Sequence, residues 1–370
     1  MFTADVCVRG AGVVGRSLAL ALSRQGLSVA LQGADERPRA SNDVRAYALN
    51  AASVALLGDL KVWGALPPDA ATAVYDMHVE GDLPGAAIEF SAWQQRVEAL
   101  AWIVDAAALE DALAAALRFA PHVQLAGEQP VEAALTALCD GRDSAGRAAH
   151  GVHWSVQPYG QRALAGRLVA SQPHQGLARQ WFRSPDVLAL LPFDRPEAGR
   201  SYGLVWSLPD DRAQALLDAD DAGFELALNE ASGGAAGSLK LAGPRAAWPL
   251  AIARAEPVCG PGWVLLGDAA HLVHPLAGQG LNLGLADVGT LVRLIAGREP
   301  WRSLGDEKLL RRYARERTLP TWAMGQVTDG LLQLFSQPAP WVRELRNRGL
   351  GLVNGLPPLK RWLAARALGS

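Results

Sequence analysis

Val6-Cys7-Val8 and Val29-Ala30-Leu31 are short β-type runs. Between them stands Gly10-Ala11-Gly12-Val13-Val14-Gly15, followed by Val14, Leu18, Ala21 and Leu22 at helical spacing, with Gly26 as the stop. A strand, a Gly-x-Gly-x-x-Gly turn, a helix and a second strand in this order build a parallel βαβ crossover. Each glycine has its own task. Gly10 makes the tight turn, Gly12 lets the backbone approach a pyrophosphate, and Gly15 lets the helix pack on the strand. The unit predicts an α/β fold with a dinucleotide at a helix N-terminus. An acid is expected at the end of the second strand to hold the adenosine ribose, and this chain has Gln32 there. An amide still hydrogen-bonds a hydroxyl, without charge assistance. Asp35 and Glu36 follow, past the strand end.

A second stretch supplies a partner. Trp263 to Leu266 is an apolar run that reads as a buried strand and ends in Gly267-Asp268. That turn sets a carboxylate at the strand's C-terminal end, the edge where ligands of open α/β sheets bind. A loop with Pro275 follows, then Gly278-Gln279-Gly280. Leu281, Leu285, Val288, Leu291, Val292 and Ile295 then recur at helical spacing. Gly278 to Asn282 is thus expected at a helix N-terminus, whose free N–H groups and positive dipole end favour an electron-rich ligand. His271 and His274 read as structural side chains of the strand end.

The chain has 370 residues and is 50% hydrophobic, ample for two domains or one elaborate one. Its formal net charge of −2 leaves no electrostatic footprint for nucleic acid. Cys7, Cys139 and Cys259 are widely spaced and fit no zinc or disulfide framework, which suggests a reducing compartment. No basic n-region precedes the first strand and no run of about 18 uncharged apolar residues occurs. A cytoplasmic location is expected.

Between the two motifs, Arg45 in Asp43-Val44-Arg45 is a candidate clamp on a pyrophosphate. Ser53 to Leu66 reads as helix, broken by Pro67-Pro68, and Leu109 to Leu117 as an Ala-rich helix. Val74 to Phe90 alternates, as an excursion into a sheet-rich domain would. Val123 to Leu125 is a short strand, and Asp140-Gly141 reads as a strand-end turn or a solvated loop. Short strands from Gly151 to Phe193 and at Tyr202 to Leu208 predict an antiparallel sheet that covers a ligand. Asp210 to Ala231 reads as one helix, ended by Gly233-Gly234. Residues 341–370 carry six Arg or Lys against Glu344, interleaved with Trp341, Trp362 and leucines. Such a tail suits a membrane surface, an acidic partner, or an ordinary terminal helix with a solvated basic face.

These residues together resemble the flavin-dependent aromatic hydroxylases, and within them the ubiquinone-biosynthesis hydroxylases. Gly10/Gly12/Gly15, Asp43-x-Arg45, Asp140-Gly141 and Gly267-Asp268 fall in that family's order, and Gly267 to Asp287 is similar nearly residue for residue. Gln180-Trp181-Phe182 and Leu204-Val205-Trp206-Ser207 resemble the ubiquinone branch in particular.

The resemblance implies a Rossmann-like FAD-binding domain of the glutathione-reductase type, discontinuous over 1–75, 101–150 and 251–330. An antiparallel-sheet substrate domain over 76–100 and 151–250 would be inserted in it, with a helical tail over 331–370. Gly10, Gly12 and Gly15 would face the FAD pyrophosphate, Gln32 the ribose, and Arg45 the phosphates or ribityl region. Asp140 and Gly141 would serve the region shared by FAD and the nicotinamide cofactor. Gly267-Asp268 would bind the ribityl chain, while Pro275, Gly278, Gln279, Gly280 and Asn282 would lie against the isoalloxazine. The implied reaction is hydroxylation of an aromatic ring through a flavin hydroperoxide, with O2 and NAD(P)H, on a polyprenylated ubiquinone precursor. No protein general base is assigned. The tail would meet the inner face of the membrane or a biosynthetic complex. Two features depart from the family's pattern, Gln32 and the short Val123–Asp140 segment. They raise an alternative, a non-catalytic subunit of the same fold that binds lipid or scaffolds such a complex; a flavin reductase or oxidase is a third reading.

Overall fold

The computed structural model describes residues 2–33, 43–81, 86–273 and 279–336. Asp35, Glu36, His274, Pro275, Gly278 and the basic segment 341–370 lie outside the described residues.

In chain order, β1 (Phe2–Arg9), α1 (Val13–Ser23) and β2 (Val29–Gln32) form the βαβ crossover. Next come β3 (Ala46–Leu49), α2 (Ala51–Asp59), β4 (Ala71–Val74), β5 (Asp76–Glu80), β6 (Ala87–Ser91), α3 (Ala92–Gln95), β7 (Ala101–Asp105) and α4 (Ala106–Leu117). The middle holds β8 (Val123–Leu125), β9 (Val131–Leu138), α5 (Ala145–Ala149), β10 (His153–Ala170), β11 (Leu177–Arg183), β12 (Asp186–Phe193) and β13 (Ser201–Pro209). The last third holds α6 (Asp210–Asp218), α7 (Asp221–Ser232), β14 (Leu239–Glu256), β15 (Cys259–Gly260), β16 (Trp263–Leu265), β17 (His271–Leu272), α8 (Gln279–Ala296) and α9 (Glu307–Ser336).

The strands form three sheets. A six-stranded sheet runs β15-β16-β9-β1-β2-β8, parallel except for β15. The buried stretches of its central strands, residues 6–8, 29–31 and 135–138, are mostly apolar, as strands covered on both faces require, and α1 packs beside α4 and α8 over a core that includes Val6, Val8, Leu18, Leu22 and Leu291. An eight-stranded sheet runs β17-β14-β10-β13-β12-β11-β5-β6, antiparallel except where β5 meets β11. It takes β14 as far as Glu256 and adds β17, past the boundary at 250 that the sequence suggests. A three-stranded sheet β3-β7-β4 interleaves in the chain with β5 and β6 of the large sheet.

The large sheet is two-faced because its strands alternate. Leu188, Leu190, Trp206 and Leu208 turn one way and pack with Leu216, Phe224 and Leu228 of α6 and α7. Val187, Ala189 and Leu191 turn the other way and face a cavity.

Several elements differ from the sequence reading, each for a local reason. The helix expected over Ser53–Leu66 is α2, which starts at Ala51 because the Asn50 side chain accepts the Ser53 N–H at 2.9 Å. It ends before Lys61, whose φ is +61°, and only a 3-10 turn follows over Trp63–Ala65. The segment Asp210–Ala231 is two helices, because Asp220 caps a new one by accepting the Gly223 N–H at 2.8 Å. The stretch after Asp140-Gly141 is no solvated loop: it holds α5, with Arg147 buried.

Register decides where the motifs meet. Arg9 pairs with Leu138, and Leu138 with Leu265. Three chains therefore leave the sheet edge at one level: Gly10–Gly12 after β1, Cys139–Gly141 after β9, and Gly267-Asp268 after β16. They pack tightly. A Cβ on Gly10, whose φ is +101°, would stand 2.3 Å from the Cys139 carbonyl oxygen, and one on Gly15 would stand 1.9 Å from the Gly10 carbonyl oxygen. Backbone atoms cannot rotate away. Gly15→Ala should cost about 1–3 kcal/mol or more, seen as a lower urea midpoint; an unchanged midpoint would show that helix and turn need no such approach.

Candidate functional site

The three strand ends open into a cavity of about 860 Å³. Of the residues singled out from sequence, Gly12, Arg45, Asp140, Gly141, Asp268, Gln279 and Gly280 line it. Gly10, Gly15, Gln32, Gly267 and Asn282 are not among the lining residues.

At the α1 end, a Cβ built on Gly12 meets nothing within 4 Å, so the backbone lies open to a ligand where the first-turn N–H groups point. Asp140 accepts the Gly146 N–H with Oδ2 at 3.2 Å, while its buried Oδ1 has no hydrogen-bond partner. A carboxylate oxygen left so costs about 1–3 kcal/mol, which a hydroxyl donor would offset. Asp268 stands in the cavity between buried neighbours, its own side chain exposed to that space. Burial pushes its carboxyl up; Asp287 adds to that push, and His271 and Arg142 oppose it. An approachable glycine turn at a helix start and two carboxylates with acceptor capacity fit the pyrophosphate and hydroxyls of a dinucleotide.

Arg45 reaches the cavity but is already engaged. Its guanidinium makes hydrogen bonds of 2.6 to 3.1 Å to the Asp43 carboxylate and a longer one, 3.3 Å, to Glu110. The Asp43 hydrogen bond pushes the guanidinium's ionisation further up, against burial. Beside it, burial pushes the Tyr47 phenol up to about 12. Arg45 thus sits in a cluster with two acids, so a phosphate would have to compete with them for it.

Two of the expected ligand residues are engaged by other parts of the chain. Gln32 was expected to face a ribose, but its amide donates to the Gln129 carbonyl at 2.7 Å and its oxygen lies 3.5 Å from Cys7 Sγ. The short segment between β8 and β9 folds back on the strand end and takes that amide. Asn282 was expected against a flat ring; its side chain instead accepts from Asn50 N–H at 3.0 Å and Ser53 Oγ at 2.7 Å, and donates to the Ala48 carbonyl at 2.8 Å. It fastens α8 to α2 and β3.

The far wall is largely apolar and small, with Arg179, Gln180 and Ser207 as its polar members. Ala163 and Ala165 of β10, Ala178 of β11 and Ala189 of β12 leave the room, and Met77, Phe90, Leu191 and Trp248 bound it.

Three buried charged groups that hold the site escaped the sequence reading. Asp287 of α8 has no exposed surface. It accepts the Gly267 N–H at 2.9 Å, His271 Nε2 at 2.8 Å and Arg317 Nε at 2.5 Å. Burial alone would raise its carboxyl, but these donors outweigh it and hold it below the usual range. An acid on the apolar helix face between Leu283 and Leu291 was the available signal. Arg147 stacks 3.7 Å over Trp154 and donates to the carbonyls of Ala269 and Arg142, which ties the Asp140 loop to the Gly267 turn. Arg167 lies 4.0 Å over Phe193 and donates to the Arg45 carbonyl at 2.7 Å and Asp105 at 3.1 Å. Among the described residues no cluster of side chains could hold a metal ion, and no helix is long and apolar enough to cross a membrane.

A parallel sheet that delivers a glycine turn and two carboxylates into one chamber, roofed by an antiparallel sheet, defines a dinucleotide-binding protein with a covered apolar substrate space. A family model described as FAD binding domain matches residues 107–328. Ubiquinone hydroxylase UbiL of Rhodospirillum rubrum is 31% identical, over 99% of this chain and 90% of that protein. The 3-demethoxyubiquinol 3-hydroxylase of Escherichia coli is 29% identical, over 99% and 98%. Among solved structures, P. aeruginosa PqsL in complex with 2-aminobenzoylacetate aligns with a TM-score of 0.77 at 19% identity, covering 94% of this chain and 99% of that one, a likeness of fold. The chain belongs to the FAD-dependent monooxygenases, within the family of the ubiquinone-biosynthesis hydroxylases.

Asp268 gives a signed prediction. Its folded-state pKa is raised, so the ionised form is disfavoured in the fold, and that penalty is present above the unfolded value of about 3.9. At neutral pH, Asp268→Asn should therefore melt at a higher temperature than wild type without FAD, yet bind FAD more weakly. A variant that melts lower and binds FAD as before would contradict both halves.

Proposed function

We propose that this monooxygenase hydroxylates the aromatic ring of a polyprenylated ubiquinone precursor, with O2 and with NAD(P)H as electron donor. The observation that carries the reading is one continuous chamber of about 860 Å³, polar at the three strand ends and largely apolar at the large sheet. The named activities of the relatives, a ubiquinone hydroxylase and a demethoxyubiquinol hydroxylase, support the ring class.

When bound, FAD supplies the redox chemistry that reduces O2 and places one oxygen atom on the ring. The chain's own residues bind and orient. Gly12 and the α1 N-terminus meet the pyrophosphate. Asp140 Oδ1 and the Asp268 carboxylate accept from hydroxyls of the cofactor. The first turn of α8, at Gln279-Gly280, presents backbone N–H groups and a positive dipole end to negative charge on the cofactor's ring. The alanine-lined wall takes the aromatic ring and excludes water. The 1–75, 101–150 and 251–330 segments act as the cofactor body, and 76–100 with 151–250 as the substrate body. The basic, Trp-bearing 341–370 segment suits contact with an anionic membrane, where a polyprenylated substrate resides.

The test is a visible spectrum of the purified protein with FAD, then NAD(P)H oxidation with a prenylated phenol. Product carrying one more oxygen atom supports the reading. Absence of flavin binding even with FAD in excess would favour the lipid-binding or scaffolding subunit instead. Ala189→Phe narrows the wall and should abolish ring turnover with flavin affinity unchanged; ring turnover at the wild-type rate would remove the wall from the substrate site.

A further inference from the structure

Asp287 is fully buried and does not line the cavity, yet its contacts converge on the turn that carries Asp268. Its carboxylate takes donors from three places: the Gly267 N–H of the turn, His271 of β17 and Arg317 of α9. Oδ2 is shared between Gly267 and His271, and Oδ1 takes Arg317, so the group cannot rotate. Gly267 has φ +59°, a left-handed conformation in which its N–H orientation sets the plane of the peptide before Asp268. Packing alone leaves little tolerance there. A Cβ on Gly284, in the same helix turn as Asp287, would stand 2.7 Å from Val14 Cγ2 and 3.3 Å from Gly267 Cα. Tyr313 donates to the Leu265 carbonyl at 3.0 Å and Arg317 to the Leu283 carbonyl at 3.2 Å, so α9 clamps both the strand before the turn and the helix that bears Asp287.

We propose that Asp287 is a positioning residue for the cofactor: by accepting the Gly267 N–H from a carboxylate locked by His271 and Arg317, it fixes the Gly267-Asp268 turn in its flavin-binding shape. The proposal rests on the reading of Asp268 as a flavin ligand and adds a residue that touches no ligand itself. It separates two roles of one side chain. The charge pairs with His271 and Arg317 and serves stability. The oxygen that meets Gly267 serves affinity.

Those roles part under mutation. Asp287→Asn keeps an oxygen for Gly267 and loses the charge; it should melt well below wild type yet bind FAD with nearly wild-type affinity. Asp287→Ala loses both and should bind FAD at least about tenfold more weakly. Replacing the whole cluster by apolar side chains, Asp287→Leu with His271→Leu and Arg317→Met, is the deciding variant. Exchanging a complete buried charge cluster for packed hydrophobic groups tends to keep or raise stability, so this triple variant covers a failure of the alanine variant to fold. It should regain thermal stability and still bind FAD at least about tenfold more weakly.

FAD titrations of the flavin-free proteins, followed by flavin fluorescence, with melting curves alongside, read both roles. Wild-type FAD affinity in the triple variant overturns the proposal, because Asp287 would then serve the fold alone. Asparagine as weak as alanine overturns it too, since the oxygen would not be the active feature. Wild-type protein that binds no FAD defeats the functional reading beneath it, an outcome distinct from either of these.

Discussion

The alignment of β1, β9 and β16 at Arg9, Leu138 and Leu265 is the constraint on which the site depends. Parallel pairing is indifferent to which motif follows each strand, but it fixes the height at which each chain leaves the sheet. A shift of one residue in β9 would send Asp140 to the opposite face and leave Gly10 without the Cys139 backbone it packs on. The tolerance is small because the contacts are between backbone atoms. The ligand-binding edge is thus a product of sheet register, and the side chains there are placed by hydrogen bonds far below them.

What could be read from the sequence was whatever is encoded over short spans. The βαβ unit, the Gly267-Asp268 turn and the helix after Gly280 each announce themselves within about thirty residues, because glycine positions and apolar periodicity are local signals. The family, the fold class and the cofactor follow from them. Pairings over long distances were not legible. That Asn282 is taken by Ala48, Asn50 and Ser53, or Gln32 by Gln129, depends on partners as much as 234 residues apart in the chain. Arg147 carried no signal of its own, because nothing nearby reveals that Trp154 will lie under it. The two helices of Asp210–Ser232 were merged because a capping aspartate in a run of aspartates is hard to distinguish from its neighbours.

The large sheet divides its labour by residue size. On the helix side it carries Trp206, Leu188 and Leu208, which bury wide apolar surfaces against α6 and α7. On the cavity side alanines recur in β10, β11 and β12. The larger share of the sheet's packing lies on the helix face, while on the other face Ala178, Leu191 and Phe193 pack with Ala48, Val74 and Ile103 beside the cavity. The two buried arginines belong to the same scheme. Arg147 and Arg167 each stack on an aromatic ring and donate to carbonyls, a use that suits the flat guanidinium better than a lysine.

The unpartnered Asp140 oxygen and the exposed Asp268 carboxylate carry a consequence for the chain's life in a cell. Both are groups that a bound cofactor would satisfy and that bare protein leaves wanting. A ligand that binds only the folded state adds RT ln(1 + [L]/Kd) to its stability, about 2.7 kcal/mol at a hundredfold excess over Kd. New copies made where flavin is scarce thus sit closer to unfolding and to proteolysis. Flavin supply thereby enters the folding equilibrium of the chain itself.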